Sequence, residues 1–497
     1  MTRKDPPLLR LHLALPMVVA ALAGLLAGCT VGPDFVRPAE PTGERYQGPG
    51  EEAALDRASD RQGERLGDRV SGDWWALFRC AELDQVVRDA LARNRDLAAA
   101  RSALERAAQQ AVAAGGALFP HADLMASADR ERVNFAAYGL TSPNADFNLY
   151  QIGPTVSYSL DLFGKAHRQV EQANALAEAE GYHLDAAYLA LTGNVVVEAV
   201  TIAETRAQIA AVEDILADDR QTLDLVRTAK AVGAGTDVDV LHAESQLAND
   251  RTLLPPLRQQ ASVASHALAV LAGRTPASWS PPEFALDGFH LPDSIPVSLP
   301  SALVRQRPDI LAAEAVLHAA SAAVGVATAQ RYPDFTVSAD LLQQATFPGH
   351  LFREAASAAT VGGGLAAPLF RGGALAAEQA AAEADLRTAE ARYEQTVLRS
   401  FAQVADSLAA LAHDADELAA QEKARDAAAA AVRLARLSYA AGNAGVLQVL
   451  DAERQYGQAC LGAARARGRR DLDTAQLFLA MGGGWWDWPD RAGELRE

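Results

Sequence analysis

Tyr150-Gln151-Ile152-Gly153-Pro154-Thr155-Val156-Ser157-Tyr158-Ser159-Leu160-Asp161 decides the fold, because its side chains fall on two faces of opposite character. Tyr150, Ile152, Pro154, Val156, Tyr158 and Leu160 share one face, and Gln151, Gly153, Thr155, Ser157, Ser159 and Asp161 share the other. A period of two is that of a β-strand. About eleven residues is the length at which a tilted strand crosses a bilayer. A half-buried strand of a soluble sheet alternates in the same way, so this segment alone leaves both readings open.

Three further segments share the pattern. Ala122, Leu124, Ala126 and Ala128 alternate with Asp123, Ser127 and Asp129, with Met125 out of step. Phe335, Val337, Ala339 and Leu341 alternate with Asp334, Thr336, Ser338 and Asp340, and a glycine-rich segment near Thr360 to Pro368 carries the weakest pattern. Four strands cannot hide their edges from lipid, since closed barrels begin at about eight strands. Three chains would supply twelve.

The strand pairs belong to a larger duplication. Arg95-Asp96-Leu97 and Leu118-Phe119-Pro120 recur as Pro308-Asp309-Ile310 and Arg331-Tyr332-Pro333. Val240-Leu241-His242-Ala243-Glu244-Ser245-Gln246 recurs as Val449-Leu450-Asp451-Ala452-Glu453-Arg454-Gln455. A repeat this long is duplicated architecture and not the mark of a catalytic pocket. After each strand pair comes a proline-free run rich in alanine, leucine, valine, glutamate and glutamine. The first runs from Lys165 to about Val232, weakly interrupted by Gly181 and Gly193; the second runs from Ala374 to Ala441, with Arg387, Glu390, Arg392 and Glu394 at helical spacing. At ~1.5 Å per residue, a run of roughly 66 residues makes a helix of ~100 Å.

Each rod ends in a turn. In Val232-Gly233-Ala234-Gly235-Thr236-Asp237-Val238-Asp239 a left-handed glycine stop precedes a threonine cap with an acidic residue three positions on, the pattern of a capping box. Ala441-Gly442-Asn443-Ala444-Gly445 takes the same place in the second half. Return helices are expected over 236–272 and 446–480, with Pro255-Pro256 positioned to kink or split the first.

At the N-terminus, Arg3, Lys4 and Arg10 precede an apolar run from Leu11 to Leu26 that ends in Leu26-Ala27-Gly28-Cys29. This is the layout of an export signal cleaved before Cys29. Pro16 inside a run barely long enough for ~30 Å of hydrocarbon argues against a transmembrane anchor. Leu-Ala-Gly-Cys resembles the bacterial lipobox, which implies a diacylglyceryl group and an N-acyl chain on Cys29. Acyl chains contribute about 0.8 kcal/mol per buried methylene, so the anchor would be durable. Thr30, where such signals use aspartate for inner-membrane retention, favours the outer membrane.

The 497-residue chain has a formal net charge of −18, which argues against nucleic acid as a partner. Beyond the signal no run of about 20 apolar residues is expected, and hence no helical membrane span. Residues 40–70 are polar and glycine-bearing and suit an extended tether. With Cys29 lipidated, Cys80 and Cys460 remain, either bridged or as buried free thiols, and neither has metal-ligand spacing. The histidines are scattered without a His-Glu-x-x-His pair, Gly164-Lys165 lacks the rest of a phosphate loop, Gly362-Gly363-Gly364 sits in a strand-like segment, and no Gly-x-Ser-x-Gly elbow occurs. An enzyme, a resident cofactor and a metal site are therefore not expected. Trp485, Trp486 and Trp488 lie far from the strands and suit packing better than a membrane-interface belt.

Cys29-Thr30-Val31-Gly32-Pro33-Asp34-Phe35-Val36-Arg37-Pro38 resembles the mature start of outer membrane factor lipoproteins of the NodT/OprM type, relatives of TolC. Asp161-Leu162-Phe163-Gly164-Lys165 and Pro368-Leu369-Phe370-Arg371-Gly372-Gly373 resemble that family's strand-to-helix exits, and Met481-Gly482-Gly483-Gly484-Trp485 its C-terminal signature. The resemblance implies a mainly α, TolC-like homotrimer: four strands per chain in a shared 12-stranded membrane barrel, a long periplasmic α-helical barrel and a mixed α/β equatorial domain. It implies the exit duct of a tripartite efflux system, docked to a periplasmic adaptor and, through it, to an inner-membrane transporter of the RND type. The expected organisation is a signal at 1–28, a lipidated tether at 29–75, a first repeat at 76–272 (strand pair about 121–161, long helix 165–232), and an equatorial connection at 273–300. A second repeat follows at 301–484 (strand pair about 334–368, long helix 374–441), then a tail at 485–497.

The same resemblance puts a periplasmic gate at the second tip, where Leu447 and Asp451 stand one helical turn apart. Three copies around an axis would make an apolar constriction beside an acidic ring. Asp451 serves equally well as a solvated carboxylate. The chain departs from the TolC pattern in Gln448, where a second acidic ring would lie, and in Ala444, where an arginine latch would lie. Tyr439 and Asp239 match partners in that latch, which implies a hydrogen bond between neighbouring tips. Val232, Gly233, Gly235 and Thr236, with Gly442, Asn443 and Gly445, are candidate adaptor-docking tips, although each glycine also suits a plain helix C-cap. Two other functions stay open on sequence grounds: a channel for type I protein secretion, and a non-channel coiled-coil lipoprotein scaffold.

Overall fold

The computed structural model describes residues 30–39, 46, 63–66, 70–134, 139, 141, 143–292, 294–298 and 300–487. The expected signal, Cys29, most of the expected tether and Trp488 lie outside the described residues. In chain order the elements are β1 (Gly63–Leu66), α1 (Ala81–Arg93), α2 (Arg95–Gly115), β2 (His121–Val133), β3 (Ala145–Leu160) and α3 (Lys165–Ala231). They continue as α4 (Asp237–Arg251), α5 (Leu254–Leu271), β4 (Ser294–Val297), α6 (Pro300–Leu303), α7 (Pro308–Ala329), β5 (Asp334–Ala345), β6 (Ser357–Ala366), α8 (Ala374–Ala440) and α9 (Val446–Ala480). The described residues form two compact units. One holds the residues up to Arg37 with Leu104–Glu180 and Ala313–Tyr393, and the other holds those from Pro38 to Ala103, Gly181–Ala312 and those from Glu394 onward.

The first unit contains a four-stranded antiparallel sheet in the order β2-β3-β5-β6. Its register explains the alternation. Ala122, Val156, Ala339 and Val361 stand in one cross-strand row, and Leu160, Phe335 and Leu365 in another. The polar row Asp123, Thr155, Asp340 and Thr360 lies on the opposite face. Pairing across all four strands keeps like with like because a one-residue slip would invert every side chain. Leu124, Val156, Val337, Leu341, Val361 and Leu365 are exposed, so among the described residues nothing covers the apolar face.

The segment after Cys29 is not a free tether where it is described. Val31 N–H donates to the Phe163 carbonyl at 3.2 Å, and Arg168 binds Asp34 at 2.6 Å and Glu171 at 2.7 Å. Phe35 stacks on His318 with ring centroids 4.4 Å apart, His318 meets Glu171 at 2.9 Å, and Arg37 meets Glu314 at 2.6 Å. Gly32 takes a φ of +94°, and a Cβ there would lie 2.4 Å from the Gly325 Cα. The strap's partners lie more than a hundred residues away in sequence, so no local pattern announces it.

In the second unit β1 and β4 form a short parallel pair, with Ile295 and Val297 buried. Gly63–Leu66, within the partly extended tether expected over 40–70, is thus held by a partner strand in the 273–300 connection; four residues carry too little period to announce that pairing. Trp74, Phe78 and Phe478 are fully buried together. Trp485 is buried as well and its indole N–H donates to the Gln306 carbonyl, so the packed chain runs past the tail boundary expected at 485. Cys80 and Cys460 are free thiols, the first buried and the second half-buried.

Each long helix runs unbroken for 67 residues. Alanine dominance and the absence of interior proline account for this. The return of α3 is two helices, not one over 236–272. The break falls at Thr252–Leu253, and Pro255 and Pro256 occupy the first turn of α5, where a missing amide costs no intrahelical bond. By contrast α9 has no proline and is continuous over Val446–Ala480. Both α3 and α7 contain windows apolar and long enough to cross a bilayer, yet 56% and 67% of those windows is buried within the protein, as in core helices.

Candidate functional site

Both tips lie in the second unit and share one construction. At the end of α3, Gly233 at φ +79° lets its amide reach the Lys230 carbonyl at 2.9 Å and the Ala234 amide reach Ala229 at 2.9 Å. At the end of α8, Gly442 at φ +71° does the same, with Gly442 bonded to Tyr439 at 3.0 Å and Asn443 to Ser438 at 2.9 Å. These are paired Schellman closures, which satisfy the last helical carbonyls and require a left-handed residue.

The two return helices start differently. Thr236 caps α4: its hydroxyl accepts from the Asp239 amide at 3.2 Å, while the Asp239 carboxylate accepts from the Thr236 amide at 2.9 Å and its hydroxyl at 2.7 Å. The Thr236 bonds hold the Asp239 carboxyl below its usual range. Lys230 pairs with Asp237 across the same turn. Gly445 begins α9 without a side-chain cap.

Leu447 is 56% exposed, and Asp451 is exposed one turn further along the same face of α9. Asp451 is held by Arg454 at 2.6 Å and by the Gln455 amide at 2.8 Å. The opposite face of α9 is buried: Val446 and Leu450 join Val212, Leu216, Leu223, Val226, Ala243 and Leu247 in one apolar cluster. Tyr439 packs against that cluster, and within the chain the Asp239 carboxylate bonds to Thr236 instead of to Tyr439. Val232 is 76% exposed, and Val238 and Leu241 are exposed beside it. Gly233, Gly442, Asn443 and Gly445 are exposed too, and Gly235 is half-buried.

Sequence reasoning missed the polar joint behind this face. Glu453 of α9 is only 4% exposed and accepts from Thr222 of α3 at 2.8 Å and from Arg436 of α8 at 2.9 and 2.7 Å. Arg436 also meets Asp218 of α3 at 3.1 Å. Burial pushes the Glu453 carboxyl up, against the pull of Arg436 and Thr222. The repeated Glu244 and Glu453 motif held the signal, because Glu244 bonds Arg227 in the first hairpin as Glu453 bonds Arg436 in the second. Among the described residues no cluster of three or more His, Cys, Asp or Glu side chains is arranged to hold a metal ion.

Membrane-length strands leading into hairpins of very long helices, all present twice, are the build of an outer-membrane channel. The chain belongs to the family described as Outer membrane efflux protein, whose model matches residues 86–274 and 299–483, one stretch per repeat. It is 31% identical over 428 residues to the pyoverdine export outer membrane protein OpmQ of Pseudomonas aeruginosa, covering 85% of this chain and 89% of that one. It is 28% identical over 481 residues to the probable efflux pump outer membrane protein TtgC of Pseudomonas putida, covering 96% and 97%. Among solved structures, the outer-membrane channel OprN superposes with a TM-score of 0.83 at 29% identity, over 92% of this chain and all of that one. The protein is thus an efflux channel of the outer membrane with the TolC-like fold.

Proposed function

We propose that three copies of this chain join their sheets edge to edge into one twelve-stranded barrel, and that their long helices continue it as a duct into the periplasm. One observation carries this: β2 and β6 are the outer strands of the chain's own sheet, at membrane length and with an uncovered apolar face. Lipid cannot satisfy a strand edge, so the edges must meet other copies. A periplasmic adaptor docks on the tips Val232–Thr236 and Gly442–Gly445 and links the duct to an inner-membrane transporter, which supplies the energy. Leu447 and Asp451 of each copy form the gate. The duct passes small organic solutes and carries out no covalent chemistry of its own; the export and efflux names of OpmQ and TtgC support that cargo class. Acyl chains on Cys29 add a second hold on the membrane.

Light scattering of the detergent-solubilised protein, corrected for bound detergent, tests the assembly. A trimer is expected, and a stable monomer would overturn the proposal.

A further inference from the structure

Asp219 of α3 is 2% exposed, and neither of its carboxylate oxygens meets a hydrogen-bond donor. The group in hydrogen-bond contact with it is another carboxyl, that of Asp250 at the last turn of α4. Asp250 is steered there by the Gln246 side-chain amide, which donates to its Oδ2 at 2.6 Å. Glu453 from α9 and Asp218 on its own helix add further negative charge beside it. Arg436 of α8 is engaged by Glu453 and Asp218.

Two ionised carboxylates in contact repel and leave each other's acceptors unsatisfied. One proton between them converts one oxygen into a donor and removes both penalties. The second hairpin holds a similar pair: Asp414 of α8, 5% exposed and with its Oδ2 lacking a donor, contacts the Asp473 carboxyl of α9. There Arg469 of α9 offsets part of the charge, and Glu417 adds to it.

The jointed return helix makes the first pair consequential. α4 is 15 residues long, bounded by the Gly233–Gly235 turn at one end and the Thr252–Leu253 break at the other. Asp250 sits at the end of α4 next to the break, and Val238 and Leu241 at its other end are exposed tip residues.

We propose that a proton shared between Asp219 and Asp250 is a latch that holds α4 against α3, so that the first tip hairpin is closed in acid and loosened as the pH rises. Burial, then the neighbouring Asp250, Glu453 and Asp218 charges, carry Asp219 from 3.8 up to about 7. When α4 leaves, the carboxyl regains water and its ordinary range. The closed form therefore binds the proton more tightly, and its advantage is complete below about pH 4 and lost as the pH climbs through about 7. Opening should increase by up to about tenfold per pH unit across that window and level off above it.

Hydrogen exchange on the purified full-length protein in detergent tests this, followed on the amides of 237–251 and corrected for the intrinsic pH dependence of exchange. Between pH 5 and pH 7 exchange there should accelerate by more than about tenfold in the unaltered protein. Asp219→Asn places a permanent amide donor on Asp250 and should reduce the acceleration to less than about twofold. Asp250→Asn should do the same from the other side, which guards against one variant failing to fold. Unaltered protein whose 237–251 amides exchange equally at both pH values would overturn the latch, and so would a folded asparagine variant that keeps the full acceleration.

Discussion

Arg436 and Glu453 meet at 2.7 Å across the second tip hairpin, as Arg227 and Glu244 meet at 2.7 Å across the first. The duplicated sequence motif thus carries a duplicated bridge between outgoing and return helices. Their settings differ: the Glu453 side chain is 4% exposed and that of Glu244 is 43% exposed. A buried acceptor loses far more than a solvated one when its partner is removed.

Arg436→Ala should therefore destabilise the protein by about 2–3 kcal/mol, because it leaves Glu453 buried with Thr222 alone. Arg227→Ala should cost at most about 1 kcal/mol, as for an exposed pair. Thermal unfolding of the two variants in the same detergent measures the contrast, and equal losses would show that burial does not separate the two bridges.

The strap after Cys29 should depend on Gly32. An alanine there combines a φ of +94° with a Cβ 2.4 Å from the Gly325 backbone, so Gly32→Ala should lift the segment from α7. The Val31 amide, which donates to the Phe163 carbonyl in the unaltered protein, should then exchange its hydrogen faster.

Asp471 is buried, its Oδ2 has no hydrogen-bond partner, and burial pushes it up to about 7 against the pull of Arg467 and Arg470. A carboxyl raised on folding stabilises fully below its ordinary pKa and loses that contribution as the pH rises through about 7. Asp471→Asn should melt above the unaltered protein at pH 8 and lose that advantage at pH 4. Melting curves at the two values check the sign.

If Leu447 and Asp451 line the gate, alanine at either position should raise single-channel conductance in planar bilayers. Asp451→Ala should also weaken block by divalent cations, since it removes one carboxylate per copy from the ring. Unchanged conductance in both variants would move the gate elsewhere.

If Cys29 carries the acyl chains proposed for it, Cys29→Ser should remove their mass from the mature protein. Membrane association should survive, because the barrel spans the bilayer independently of the acyl chains.

Much of the architecture was legible because it is periodic. Alternation from Tyr150 to Asp161 marks a strand without reference to anything distant, and an uninterrupted alanine-rich run from Lys165 marks a helix by local propensity alone. Turn chemistry was legible for the same reason: Gly233, Gly442 and the Thr236 to Asp239 box act over three to five residues. The exposed placement of Leu447 and Asp451 follows from helical phase beside the buried Val446 and Leu450.

What spans long separations was not legible. The sequence by itself determined the strands, the rods, their duplication and where each hairpin turns, since those depend on backbone preference and side-chain period. Only the tertiary structure decided that Gly63–Leu66 pairs with Ser294–Val297, that the strap from Thr30 to Arg37 seats on α7 and the start of α3, and that Asp219 faces Asp250. A carboxylate carries the same charge in every sequence context; whether it is solvated, bridged or forced against another acid depends on what the folded chain brings beside it and how much water it removes.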